Sequence, residues 1–426
     1  MTDRPHQGEG RRGGAPDDPA LLDLVQRRTF RFFWDLAHPA SGMTPERVTV
    51  GAPPGDLVAT GASGFGAMAA VIGAERGWVE RGEAARRLLR KLRFLEAAES
   101  HHGIFPHWMD GRTGATIAFS PDDDGGDLVE TAFLFEGLLC ARQYFGGAGE
   151  VESALRAAVD RLWARAEWDW HTRGGEDVLY WHWSPSRGFA MNLPIRGWNE
   201  CLVAYVLAAS SPTHPIRPEA YHRGWAGGAS FRNGQRYYGI ELPLGPAFGG
   251  PLCFAHYSFL GLDPRGLRDR YADYAEQNRR HALINFEHCV RNPGGFAGYG
   301  ADCWGLTSDD TSGGYGELSP TRDLGFIAPN AALGSFPYLP DQAMAALRTF
   351  TERLGDRIFT AFGFTSSFSE AAGWFSRDLI GIDQGQILGM IENYRSGLLW
   401  RLFMSCPEIR HGLRRLDFEM PEPAGA

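Results

Sequence analysis

Eight apolar stretches with a period near 3.6 residues, set apart by Gly- and Pro-punctuated connections, restrict this chain more than any other feature. They fall at 21–37, 64–76, 84–98, 128–145, 153–166, 199–209, 341–353 and 384–404. Each aligns its apolar side chains along one helical face. A strand-led α/β fold needs a Val/Ile-rich run ahead of each helix, and such runs are scarce. The fold class that follows is all-α. The stretches recur at about 30 to 40 residues per pair, which suits a ring of helical hairpins. No low-complexity stretch divides the chain. Residues 1–18 are polar and Gly-rich without an apolar segment, and read as a disordered leader. Residues 19–426 then read as a single domain.

Two segments lack helical period, 174–196 and 230–260, and are rich in Trp, Tyr, Gly and Pro. They read as long ordered loops or short hairpins, and loops of that length usually carry function. With 43% apolar residues the chain can bury a sizeable core, and no run of about 18 apolar residues is present to span a bilayer. The net charge of -9 leaves no basic face, and Lys91 is the only lysine. Nucleic acid and membrane are therefore excluded as partners. The six cysteines, Cys140, Cys201, Cys253, Cys289, Cys303 and Cys406, are dispersed among apolar neighbours and read as reduced core residues. As written, the chain reads as cytoplasmic, or periplasmic if a leader has been trimmed away, and as a monomer or weak homo-oligomer.

The chemistry concentrates where carboxylates meet helix starts. In SPDDDGGDLVETAFLFEGLLCARQYF, Gly125 and Gly126 allow a sharp entry into a helix, and Asp127 and Glu130 share one face of its first turn. An acidic capping turn explains this stretch when taken alone. The same grammar recurs, with Glu200 opening the helix of GWNECLVAYVLAAS and Asp383 standing before the helix of IDQGQILGMIENY. In a ring of hairpins the starts of inner helices can converge at one rim, gathering Asp123, Asp127, Glu130, Glu200 and Asp383 into one cleft. Cleavage of a glycosidic bond needs such a surplus, one carboxyl protonated as acid and one ionised as base or nucleophile. A helix N-terminus lowers a carboxyl pKa, whereas a general acid needs it raised, so burial has to win at Glu200. Trp198, Tyr180, Trp181 and Trp183 are the expected apolar wall.

Aromatic residues give the second signal. Of the 13 tryptophans, Trp168, Trp170, Trp181, Trp183 and Trp198 cluster in loop-like segments, where sugar rings can stack. The expected substrate-binding set is His107, Trp108, Trp181, His182, Trp183, Arg196, Trp198, Asn199, His256, Tyr257, Trp304 and Glu392, an apolar platform with convergent polar groups. DDGGD at 123–127 also spells a magnesium–diphosphate motif, but its N-D-x-x-S-x-x-x-E companion is missing. GFGAMA follows no strand, so its small residues suit tight helix packing instead of a nucleotide loop. The histidines form no H-E-x-x-H or H-x-H pattern, and neither a metal nor a cofactor is expected. Calcium is the one ion that the aspartate cluster would suit.

Several long motifs in order, among them RTFRFFWDLAHPASGMTPER, DDGGDLVETAFLFEGLL, VLYWHWSP, PIRGWNECLVAYVLAAS and DQGQILGMIENYRSGLLWRLF, give the chain a strong likeness. Over about residues 20 to 416 it resembles the bacterial glycoamylase-like family, which contains glycoside hydrolase family 144 and is similar to a domain of cyclic β-1,2-glucan synthases. The resemblance implies an (α/α)6 toroid, with short hairpins at the cleft, that hydrolyses β-1,2-glucan or sophoro-oligosaccharides. It also implies Glu200 as general acid and Asp383 as general base in an inverting reaction, with the proton relayed through a substrate hydroxyl or water. Other functions on the same fold are a transglycosylase, a glycosidase of another linkage and a non-catalytic carbohydrate-binding protein.

Overall fold

The computed structural model describes residues 17–421. Of the expected leader, only residues 17 and 18 fall within this range, and they begin the first helix: Asp17 accepts a capping hydrogen bond from the Ala20 amide. The remainder of the leader lies outside the described residues.

Thirteen α-helices carry the described fold: α1 Asp18–Asp35, α2 Thr60–Glu75, α3 Arg81–Ala97, α4 Leu128–Tyr144, α5 Glu150–Arg165, α6 Leu202–Ser210 and α7 Tyr274–Arg291, followed by α8 Pro329–Gly334, α9 Pro340–Arg348, α10 Gly355–Ile358, α11 Gly381–Ser396, α12 Leu398–Met404 and α13 Pro407–Arg415. Two populations alternate along the chain. In α2, α4, α6, α8 and α11 nearly every residue is buried, whereas α1, α3, α5, α7 and α9 bury a single face. A helix apolar on all sides needs cover all round, and an amphipathic helix supplies it from outside. The buried set packs in closed succession: α2 on α4, α4 on α6, α6 on the tight turns at 252–259, these on α8 through the His256–Ser335 hydrogen bond, α8 on α11, and α11 back on α2.

The tightest of these contacts is written in glycine. A Cβ on Gly64 would lie 2.1 Å from the Phe133 carbonyl oxygen, and one on Gly137 would lie 1.9 Å from the Gly64 carbonyl oxygen. The small residues of GFGAMA therefore let α2 and α4 meet backbone to backbone.

Helix boundaries follow the expected periods to within a few residues. The stretch 384–404 is two helices, because Gly397 takes φ 66° and ends α11 before α12 begins. Helix α7 has no counterpart among the expected stretches. Its buried face carries Gln277, Asn278, His281, Asn285 and His288, and these polar positions hide the apolar period. All six cysteines are buried and free of disulfides. No helix among the described residues is long and apolar enough to cross a membrane.

Short antiparallel pairs supplement the helices, two of them between segments far apart in sequence and the third a local hairpin. Arg47–Thr49 pairs with Asp378–Ile380, Gly126–Asp127 with His182–Trp183, and Asp309–Thr311 with Gly314–Gly316. All three border one hollow at the starts of the buried helices.

Candidate active site

A cavity of about 430 Å³ opens among the N-terminal ends of α2, α4, α6 and α11, lined by Glu46, Arg47, His107, Trp108, Phe119, Glu130, Trp181, Glu200, Cys253, Tyr257, Tyr315 and apolar residues between them. Each acidic side chain is placed by local chain chemistry. Asp127 is the N-cap of α4, its Oδ1 accepting from the Val129 and Glu130 amides at 2.9 Å, while its Oδ2 faces His107 Nδ1 at 3.2 Å. Glu130, one turn on, reaches across to accept the Gly61 amide at 2.7 Å. Glu200 sits in the turn just before α6. Ser258 Oγ donates to its carbonyl and Asn199 Oδ1 accepts the Cys201 amide at 3.0 Å, which together fix the turn. Asp383 lies in the first turn of α11, where Asn330 Nδ2 donates to its Oδ1 at 2.8 Å and its Oδ2 has no protein partner.

Two charge groups adjoin this hollow. In the first, Glu46, Glu130 and Asp127 surround His107. Burial opposes a charged imidazole, yet the carboxylates of Glu130, Asp127 and Glu46 outweigh it and push His107 up to about 10. Behind it His182 stands 3.3 Å from Asp123 and 3.6 Å from Asp127. Burial again opposes ionisation of Asp127, but His182 and His107 hold it below the ordinary carboxylate range. In the second, Arg47 binds Asp310 at 2.5 and 3.1 Å and Asp378 at 2.9 Å, and Asp309 and Asp383 have no such cation of their own. Burial first, then the Asp310 charge, pushes Asp309 up to about 7; burial with Asp309 and Asp310 nearby pushes Asp383 well up.

Glu200 differs from all of these. Burial alone pushes its carboxyl up to about 7, and no ion pair engages it. Glu130 reaches a similar value but is held by the Gly61 amide and the His107 charge. The contest between helix terminus and burial at Glu200 therefore resolves in favour of burial.

The expected site residues separate into three groups. His107, Trp108, Glu130, Trp181, Glu200 and Tyr257 line the cavity. Asp123, Asp127, His182 and Asp383 are buried at its wall. The rest are placed elsewhere. Trp198 packs against Trp225, Phe259 and Tyr274 in the core, and Trp304 is buried against Phe286 with its indole donating to the Gln342 carbonyl. Trp183 turns away to stack edge-on with His102 and Trp170. Arg196 is exposed and directed to the Arg223 carbonyl, and Asn199 serves as a turn cap. His256 is buried behind Asp383, bonded to Ser335 and Gln386. Glu392 lies about 13 Å along α11 from Asp383 and pairs with Arg76 and Gln26. Sequence reasoning missed Glu46, Arg47, Phe119, Asp309, Asp310, Tyr315 and Asn330. The adjacent acids of SDD at 308–310 and the PER at 45–47 were the available signals.

His107, Asp123 and Asp127 have ligand atoms all within 4.8 Å of one another, close enough to hold a cation. His107, pushed up to about 10 by its carboxylate neighbours, favours a proton at this place, with which a cation would compete.

Buried carboxyl groups with raised proton affinity thus gather beside aromatic side chains in a hollow at the N-terminal ends of the buried helices. A glycoamylase family model, described as "Putative glucoamylase", matches residues 192–407. The chain is similar to an exo β-1,2-glucooligosaccharide sophorohydrolase (non-reducing end) of Parabacteroides distasonis, at 44% identity over 94% of this chain. It spans 58% of the length of that curated relative. Among solved structures, a Bacteroides uniformis protein of the glucoamylase description shares 51% identity with a TM-score of 0.94, covering 96% of this chain and 99% of that one. An endo-β-1,2-glucanase of Chitinophaga pinensis, in complex with sophorotriose and glucose, shares 47% identity with a TM-score of 0.92, covering 96% of this chain and 100% of that one. This chain belongs to the glycoamylase-like family.

Proposed function

We propose that this chain hydrolyses β-1,2-glucosidic bonds in gluco-oligosaccharides at the cavity, with Glu200 as general acid and Asp383 as general base. The carrying observation is the Glu200 carboxyl, raised to about 7 by burial and free of any ion pair. Such a group keeps its proton below about pH 7 and holds it in about half of the molecules at neutral pH, and can give it to the departing glycosidic oxygen. Asp383 offers an unpartnered Oδ2, with Oδ1 fixed by Asn330. Asp383, itself raised well above the usual carboxylate range by burial and the neighbouring Asp309 and Asp310, acts as base from its ionised form and draws a proton from water, directly or through a substrate hydroxyl. Water attacks the anomeric carbon as the bond to the leaving oxygen breaks, inverting the configuration. Trp108, Phe119, Trp181 and Tyr257 supply apolar faces for sugar rings, and Glu46, His107 and Glu130 supply partners for hydroxyls. The closed succession of buried helices, with the tight turns at 252–259 standing in for one, supports an (α/α)6 ring.

The relatives' names support the linkage: one is a sophorohydrolase and another a β-1,2-glucanase. The test is product analysis of linear β-1,2-gluco-oligosaccharides incubated with wild type, Glu200→Gln and Asp383→Asn. Shorter products from wild type, with both variants reduced at least about 100-fold, are expected. Full activity in either variant would remove that residue from the mechanism.

A further inference from the structure

One tight turn links the supports of Glu200 and Asp383. Residues 256–258 belong to the 3-10 turns at 252–259, where successive side chains leave the axis about 120° apart, so His256, Tyr257 and Ser258 point three ways. Ser258 Oγ donates to the Glu200 carbonyl and accepts the Val203 amide at 3.0 Å, which seats the turn against the start of α6. On the His256 side, Gln386 donates to the His256 ring and to the Asn330 carbonyl at 2.9 Å, and Asn330 donates in turn to Asp383 Oδ1. Between these two anchors Tyr257 faces the cavity.

The Tyr257 ring is held by Phe65 and Phe133, with centroids 6.1 and 5.5 Å away. The residue is 5% exposed, yet among the described residues its hydroxyl has no hydrogen-bond partner. A buried hydroxyl left unpaired costs free energy, so its place calls for an explanation. Burial, reinforced by Tyr315, Cys253, Asp383 and Asp309, holds this hydroxyl well above the usual phenol range, so it stays a donor at working pH. The Oδ2 atoms of Asp383 and Asp309 are likewise buried and unpaired. A hydroxyl donor and two carboxyl oxygens provide the polar partners that one water or sugar hydroxyl needs.

We infer that Tyr257 is a third catalytic residue, its hydroxyl donating a hydrogen bond to the oxygen that passes a proton to Asp383. This rests on the proposed hydrolysis and supplies its water side. If that oxygen is the attacking water, it gives one proton to Asp383 as it bonds to the anomeric carbon. If it is a sugar hydroxyl, it gives its proton to Asp383 and takes one from the water. Tyr257 keeps its own proton throughout, and Glu200 protonates the departing oxygen as its bond to carbon breaks.

The experiment compares wild type, Tyr257→Phe, Asp383→Asn and Glu200→Gln on a linear β-1,2-gluco-oligosaccharide and on β-sophorosyl fluoride, whose fluoride leaves without a proton. Tyr257→Phe keeps the ring and deletes only the unpaired hydroxyl, so it should resist urea at least as well as wild type. Its kcat should fall on the order of ten-fold or more on both substrates with KM little changed, and Asp383→Asn should likewise be slow on both. Glu200→Gln should recover most of its lost rate on the fluoride. A kcat for Tyr257→Phe within about two-fold of wild type, or its recovery on the fluoride alongside Glu200→Gln, overturns the role. Earlier unfolding of Tyr257→Phe would mark the hydroxyl as structural and overturn it too. Absence of cleavage of both substrates by wild type instead overturns the hydrolytic reading beneath it.

Discussion

Replacing Glu200 with Gln should make the protein more stable and far less active at once. Folding raises this carboxyl from its ordinary 4.5 to about 7, by burial. Below pH 4.5 both the folded and unfolded chains hold the proton, and burial costs nothing through ionisation. Between pH 4.5 and 7 the unfolded chain releases its proton while the folded chain keeps it, so wild-type stability falls as pH rises. Above pH 7 the full deficit, about 3 kcal/mol, is present. Gln is nearly isosteric and does not ionise, so Glu200→Gln should match wild type near pH 4 and exceed it by about 3 kcal/mol at pH 8. Urea unfolding followed by tryptophan fluorescence at both pH values reads this difference. Over the same range, kcat/KM of wild type should lose activity through a basic limb near 7, where Glu200 gives up the proton it must donate. The variant should drop at least about 100-fold and lose that limb. A variant no more stable than wild type at pH 8, or a wild-type basic limb well above 7, would refute the claim that burial keeps this acid protonated.

Other outcomes follow from the same geometry. Asn330→Leu removes the one donor to Asp383, which raises that carboxyl further; the acidic limb of kcat/KM should move to higher pH and activity should fall about ten-fold or more. Asp127→Ala strips the α4 cap and leaves His107 and His182 without their shared carboxylate, and should cost about 3–5 kcal/mol in denaturant unfolding. Gly64→Ala drives a methyl into the α4 backbone, so a loss of about 3 kcal/mol or more, or insoluble expression, is expected. Glu392→Ala breaks the buried pair with Arg76 and should lower stability by roughly 3 kcal/mol while leaving the pH profile of the remaining activity unmoved.

The sequence exposed the helices that bury apolar residues, because their period is local. It hid α7, whose buried face is polar, and it could not distinguish a cleft Trp from a core Trp. Trp181 and Trp198 lie in similar surroundings along the chain, yet one lines the hollow and the other fills the core between Trp225 and Tyr274. Composition carries no sign of which side a loop turns. Carboxylates at helix starts were legible because capping favours acids there and leaves a local signature. Arg47, Asp309 and Asp310 were not, because they meet only when the Arg47–Thr49 strand pairs with Asp378–Ile380, closing the ring between its two ends. Glu392 shows the converse error, since an acid on the same helix as Asp383 but at its other end meets Arg76 instead of the hollow.

The central claim is that Glu200 and Asp383 act on opposite faces of one glucosidic bond. Proton NMR of wild-type protein mixed with linear β-1,2-gluco-oligosaccharides, recorded within the first turnovers, reads it most directly. New reducing ends should appear first as the α-anomer and only later equilibrate to β. First appearance of the β-anomer, or no new reducing ends, would contradict it.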